Sequence, residues 1–130
     1  MSTNVGVKKI IKSFLQGEPR RIKNDIVKEY GPYHGWTYHG SAIAWHEHVN
    51  DVEVIRISLQ GYGTPTTRLR LNALLDALNI KGGFYQSKHV QYLGEHEIDA
   101  TDVFTIYPGV QSVDEMLALS VFTEEARRAA

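Results

Sequence analysis

The segment VEVIRISL, Val52 to Leu59, decides how the whole chain is read. Side chains alternate along a strand, so Val52, Val54, Arg56 and Ser58 share one face and Glu53, Ile55, Ile57 and Leu59 the other. Asn50-Asp51, a turn-favouring pair, stands immediately before it. Upstream of that turn, Trp36 to Val49 is rich in aromatic and β-branched residues, with small ones at Gly40, Ala42 and Ala44, and reads as a strand. Two extended runs joined by a two-residue turn predict an antiparallel hairpin.

Helices are expected on both sides of this hairpin. Val7, Ile10, Ile11, Phe14 and Leu15 follow helical spacing and form one apolar face, which Gly17 and Pro19 bring to an end. After the hairpin, GYGTPTT interrupts the strand. Thr64 fits a helix N-cap with Pro65 at the first helical position, and Thr66 would cap a slightly later start. Leu71, Leu74, Leu75 and Leu78 then make a stripe with Leu69 at its edge, ending by Lys81-Gly82-Gly83.

The remaining segments are shorter. Residues 22–30 read as extended and lead into a Gly31-Pro32 turn. Phe84 to Leu93 predicts one or two strands with a turn at Gly94, and Val103 to Tyr107 another, stopped by Pro108-Gly109. Ser112-Val113-Asp114-Glu115 fits a capping box. It predicts a terminal helix with Met116, Leu117, Val121 and Phe122 inward, and a frayed tail over residues 123–130. The expectation is one α+β domain over residues 1–130 with its core in about 7–122. It has a small antiparallel sheet of about four to six strands, packed by an N-terminal, a central and a C-terminal helix.

Composition narrows function by exclusion. A net charge of −1 gives no global electrostatic case for a nucleic-acid or membrane-surface protein, although a local basic patch remains open. The absence of cysteine removes disulfides, thiolate zinc sites and cysteine nucleophiles, and is compatible with a reducing cytoplasm. No run of about 18 apolar residues is present, so no membrane span is expected, and the N-terminus has no signal-peptide layout.

The histidines invite a test for chemistry. Tyr-His-Gly occurs twice in GPYHGWTYHG, at Tyr33 and at Tyr38, but copies five residues apart face opposite ways on one strand. The stretch reads as a turn feeding a hairpin, with Trp36 and Tyr38 available for the core or for a partner. His46 and His48 share a face, while Glu47 points away, so a third metal ligand would have to arrive from Asp51, Glu95 or His96. Neither an HExxH helix nor a GxSxG elbow is present. No catalytic residue, metal or cofactor is assigned. A metal-dependent hydrolase is the outside alternative to a non-enzyme.

GYGTPTTRLRLN, Gly61 to Asn72, is the more informative stretch. Thr64, Thr66 and Thr67 bring hydroxyls to a helix start, whose free N–H groups favour anions. Arg68 and Arg70 stand in the first turns, where acids are preferred. Their placement invites a compensating anion, with phosphate the natural choice for a guanidinium, and Arg20, Arg21 and Lys23 would extend the patch if the fold brings them near. The plainer alternative is that both arginines pair with surface acids and that the glycines merely turn the chain. A P-loop pattern is absent.

The run Ser13 to Glu18, then Asn24, then Tyr38 to Trp45, then Gly61 to Asn72 resembles a family of small, functionally uncharacterised proteins encoded by bacteriophages and related mobile elements. Its pattern is a SFxxG helix end, a YxGxxIA strand and a Thr-Thr turn into a helix, matched here over roughly residues 10–75. Gly63-Thr64-Pro65 departs from the usual Tyr-Ser ahead of the Thr-Thr. The resemblance implies a phage accessory protein of the bacterial host cytoplasm, with no established activity. The expected function is non-catalytic binding and modulation of a host protein or defence complex, as an anti-CRISPR-like inhibitor would do. Tyr33, Trp36, Tyr38 and Tyr62 are the expected partner-binding residues, since aromatics anchor interfaces. The alternative is a nucleic-acid or nucleotide module using Thr64, Thr66, Thr67, Arg68 and Arg70. Exposed sheet edges leave a homodimer open.

Overall fold

The computed structural model describes residues 5–31 and 33–119. Helix α1 (Val5–Gln16) is followed by a meander of five strands: β1 (Arg20–Ile22), β2 (Asp25–Tyr30), β3 (Tyr33–Tyr38), β4 (Ser41–Val49) and β5 (Val52–Ser58). Helix α2 (Pro65–Ala77) comes next, and then a separate three-stranded sheet of β6 (Phe84–Ser87), β7 (Val90–Leu93) and β8 (His96–Ile98). β9 (Val103–Ile106) returns to pair with β5, so the main sheet runs β1-β2-β3-β4-β5-β9 with every neighbour antiparallel. A last helix, α3, occupies residues 113–119. The α+β expectation of a small antiparallel sheet with helices packed on it is met.

Two-residue turns write this meander. Asn50 and Asp51 have φ of 51° and 66°, the left-handed pair that matches the twist of a tight hairpin. The extended run from Trp36 to Val49 is two strands rather than one. His39 (φ 51°) and Gly40 (φ 81°) reverse the chain between Tyr38 and Ser41. Residues 22–30 divide in the same way at Lys23 (φ 55°), and β6 and β7 are joined through Lys88 (φ 49°) and His89 (φ 66°). None of these residues is β-branched, so the left-handed conformation is accessible to each.

The core lies between one face of the main sheet and the helices. α1 contributes Val7, Ile10 and Phe14, α2 contributes Leu71, Leu74 and Leu75, and the strands contribute Val27, Trp36, Ile57 and Ile106. Leu15, expected inward, is 37% exposed on the flank of α1. The β3–β4 register shifts between Trp36 and Thr37, and this bulge allows the consecutive residues Ile43 and Ala44 both to be buried.

Polar side chains cap α2 and α3 and tie α1 to the sheet. Thr64 caps α2 as expected, its hydroxyl accepting from the Thr67 N–H at 3.3 Å, with Pro65 in the first turn. The helix stops at Ala77, before Lys81, because Asn79 turns left-handed (φ 58°). The Arg20 Nε donates to Ser13 Oγ of α1 at 2.7 Å. His46 reaches from β4 to the last turn of α1, with Nε2 3.2 Å from the Phe14 carbonyl oxygen and Nδ1 2.8 Å from Glu53. At α3, the Glu115 N–H donates to Ser112 Oγ at 3.1 Å, while the Glu115 carboxylate accepts from the Gln111 N–H, so the capping box is half formed. Met116 is buried and Leu117 packs against the core. Val121, Phe122 and the tail 123–130 lie outside the described residues. No helix among the described residues is long and apolar enough to cross a membrane.

One buried cluster joins three elements. Asp25, at the start of β2, is 4% exposed. Its Oδ1 accepts from Trp36 Nε1 on β3 at 3.0 Å and from Arg70 Nε on α2 at 2.8 Å, and its Oδ2 accepts from Arg70 Nη2 at 2.9 Å. Asp25→Ala leaves a buried guanidinium and an indole N–H without their acceptor. The expected loss is about 3–5 kcal/mol of folding stability by urea denaturation, since removing one partner of a buried pair strands the other. A loss below about 1 kcal/mol would show that water replaces the carboxylate.

Candidate binding surface

The structure gathers part of the expected site and disperses the rest. Tyr38, Tyr62, Thr64, Thr66 and Thr67 line one cleft of about 270 Å³ at the start of α2, floored by Ile43 and Leu59. Within it, Thr64 Oγ1 is 2.9 Å from Thr67 Oγ1 and 3.4 Å from Thr66 Oγ1. The two arginines do not point there. Arg68 Nη1 donates to the Gly63 carbonyl at 2.7 Å and to the side-chain oxygens of Gln86 and Gln91 at 3.2 Å each. Arg70 forks onto Asp25, places its guanidinium 3.7 Å from the Tyr38 ring centroid, and donates from Nη1 to the Thr66 carbonyl at 2.9 Å. The charge-compensating group for Arg70 is therefore a buried internal carboxylate rather than a surface acid, and Arg68 meets carbonyl and amide oxygens.

Of the four aromatic residues expected at a partner surface, Trp36 is fully buried and serves the core instead. Tyr62 is 58% exposed at the cleft rim, and Tyr38 is half-buried beneath Arg70. Tyr33 stands apart on the opposite face of the sheet, where the strand registers align a second set of residues.

That opposite face turns away from α1 and α2. Pairing places Lys28, Gly35, Trp45, Arg56 and Thr105 side by side across β2, β3, β4, β5 and β9. Beside this row stand Tyr30 opposite Tyr33 and Thr37 opposite Ala42. The result is a groove of about 470 Å³ with a floor of Gly35, Thr37 and Ala42 and aromatic walls of Tyr30, Tyr33 and Trp45. The Tyr30 and Tyr33 rings stack with centroids 6.2 Å apart, and Lys28 Nζ lies 5.2 Å from the Tyr30 centroid. Arg56 pairs with Glu47 on the same face. Arg21, opposite Ile26 in the register, also faces this way, so it cannot join a patch around α2. Gly35 is required here for space: a Cβ would meet the Tyr30 ring at 2.8 Å.

The titratable groups are largely engaged in structure. His46 shares a face of β4 with His48 but is bound to Glu53 and the Phe14 carbonyl. Among the described residues no three His, Asp or Glu side chains converge on a metal-sized site. Asp99 has its carboxyl held below the usual carboxylate range by hydrogen bonds from the Thr101 side chain and backbone N–H, in an exposed turn. Sequence reasoning did not single out Tyr30, Gly35 or Trp45. The available signal was the turn at His39-Gly40, which sets the register that places Gly35 beside Trp45.

The chain matches the family model of the Kyanoviridae Gp96 protein over residues 10–111, and it belongs to that phage family. The phage origin implied by the sequence resemblance is thereby supported. No curated protein and no solved structure matches it significantly.

Gly35→Ala is expected to push the Tyr30 ring off the sheet and to cost about 1–3 kcal/mol, in the range of overpacking substitutions. Chemical denaturation measures the cost, and tyrosine exposure by ultraviolet difference spectroscopy measures the displacement. Unchanged values in both would mean that Tyr30 is not held against Gly35.

Proposed function

We propose that this member of the Kyanoviridae Gp96 family is a non-catalytic accessory protein that binds a macromolecule of the infected cell in the host cytoplasm. The observation that carries this reading is the groove on the sheet face turned away from the helices, with Tyr30, Tyr33 and Trp45 around a floor of small residues. Side chains on paired strands are pre-placed, so little conformational entropy remains to be lost when a partner covers them. Rigid aromatic rings beside arginine are the residue types on which binding energy concentrates. A small rigid binder of this kind suits blockade of a host complex, including a defence complex, better than turnover.

Affinity capture from host lysate tests the reading. Wild-type protein is expected to retain a specific partner, and Tyr33→Ala is expected to weaken retention at least about tenfold, the scale of an interface anchor. Tyr62→Ala, across the sheet, should leave retention unchanged. Equal retention by wild type and Tyr33→Ala, or none by either, would overturn the proposal.

A second reading is favoured by the convergence of Tyr38, Tyr62, Thr64, Thr66 and Thr67 on the α2 cleft. The Thr66 N–H and hydroxyl, at a turn where the Thr67 N–H is already taken by the Thr64 cap, suit a nucleotide phosphate there. Isothermal titration with nucleoside mono- and diphosphates is expected to show binding that Thr66→Val weakens. Absence of heat with every nucleotide would remove this reading.

A further inference from the structure

We infer that the face of the six-stranded sheet turned away from α1 and α2 is a platform for single-stranded nucleic acid. Tyr30, Tyr33 and Trp45 would stack bases, and the exposed Arg21 and Lys28 would follow the phosphates, beside Arg56 in its ion pair with Glu47. The inference rests on that face being the binding surface, and it names the ligand.

Charge sorting is the first argument. Register places Arg21, Lys28 and Arg56 on this face against a single acid, Glu47, among the strand residues. Asp25, Glu29 and Glu53 belong to the opposite face. The chain as a whole carries a net charge of −1, so this positive surplus is local. A protein interface gains its core from apolar residues and depletes charge there. A face that alternates cations with rings instead matches a strand that alternates phosphates with bases.

Geometry is the second argument. Lys28, Gly35, Trp45 and Arg56 stand in consecutive register positions, so the indole lies between two cations, with the Tyr30 ring packed over Gly35 beside it. Neighbouring strands are about 4.8 Å apart, which puts the two cations on either side of a stacked ring within the reach of their own side chains. Thr37 and Gln60 line the same groove and supply hydrogen-bonding groups. A duplex hides its base faces in its own stack, and the exposed rings therefore select unpaired strands.

The chain carries two tryptophans, one buried at Trp36 and one in the groove at Trp45, so fluorescence reads the site directly. Purified protein is titrated with single-stranded oligothymidylate, oligouridylate and a duplex of equal length at several salt concentrations. Quenching by single strands is expected, absent in Trp45→Phe, with weaker binding of the duplex. The slope of log affinity against log salt should be about −0.7 for each phosphate contacted, and Lys28→Ala should reduce its magnitude by about that amount. Tyr33→Ala, at an exposed position, should weaken binding about fivefold or more. A preference between the two strand chemistries assigns DNA or RNA. Failure of both single strands to bind at low salt, tighter binding of the duplex, or indifference to Tyr33→Ala overturns the inference. If neither oligonucleotide binds while nuclease-treated lysate still yields a partner lost with Tyr33→Ala, the nucleic-acid assignment falls and the binding reading stands.

Discussion

The carboxylate of Asp25 is the constraint around which the molecule is arranged. A buried anion is tolerated only when its lone pairs are met, and here a guanidinium fork and an indole N–H meet them. The three residues come from β2, β3 and α2, with Arg70 lying 45 positions beyond Asp25. The bidentate geometry fixes direction as well as distance. α2 is therefore held over the sheet at one orientation, and the Tyr38 ring is covered by the same guanidinium. Apolar packing of Leu71, Leu74 and Leu75 supplies most of the attraction, but it is non-directional.

The two sides of the sheet have divided their tasks because side chains alternate with period two. Trp36 and Trp45 illustrate the division. Trp36 pairs with Ala44 on the core side, where a small neighbour leaves room for the indole beneath α1. Trp45 pairs with Gly35 on the other side, where the missing side chain leaves room for the Tyr30 ring in the groove wall. A one-residue slip between β3 and β4 would exchange these fates. The His39-Gly40 turn and the bulge after Trp36 hold the register in place.

Local features of this fold were legible in the sequence, and non-local ones were not. The alternation in Val52–Ser58, the Asn50-Asp51 turn and the Thr64 cap are each written in a few adjacent residues, and each is found. The strand run through Trp36 to Val49 concealed its reversal because His-Gly is a weaker turn signal than Asn-Asp, although both pairs adopt positive φ. Arg70 shows the deeper limit. Its position at a helix start correctly signals a need for a negative charge, but nothing local distinguishes a phosphate from a carboxylate 45 residues away. The aromatic groove was hidden for the same reason: Tyr30, Gly35 and Trp45 become neighbours only once two hairpins have closed.

The residues of the proposed binding face are largely separate from those that hold the fold. Asp25, Trp36, Arg70 and the groove residues from Arg21 to Arg56 all lie inside the span matched by the Kyanoviridae Gp96 family. Asp25 and Trp36 are buried and Arg70 is half-buried against them, so substitution there strands polar groups or opens cavities. On the groove side, Arg21, Lys28 and Tyr33 are exposed, and replacing them leaves the core untouched. The proposed binding face lies on the side of the sheet turned away from α1 and α2, where exposed residues can change without refolding. Gly35 is the exception that couples the two requirements, because its missing side chain admits the Tyr30 ring to the wall of the groove while sitting in the strand beside Trp36.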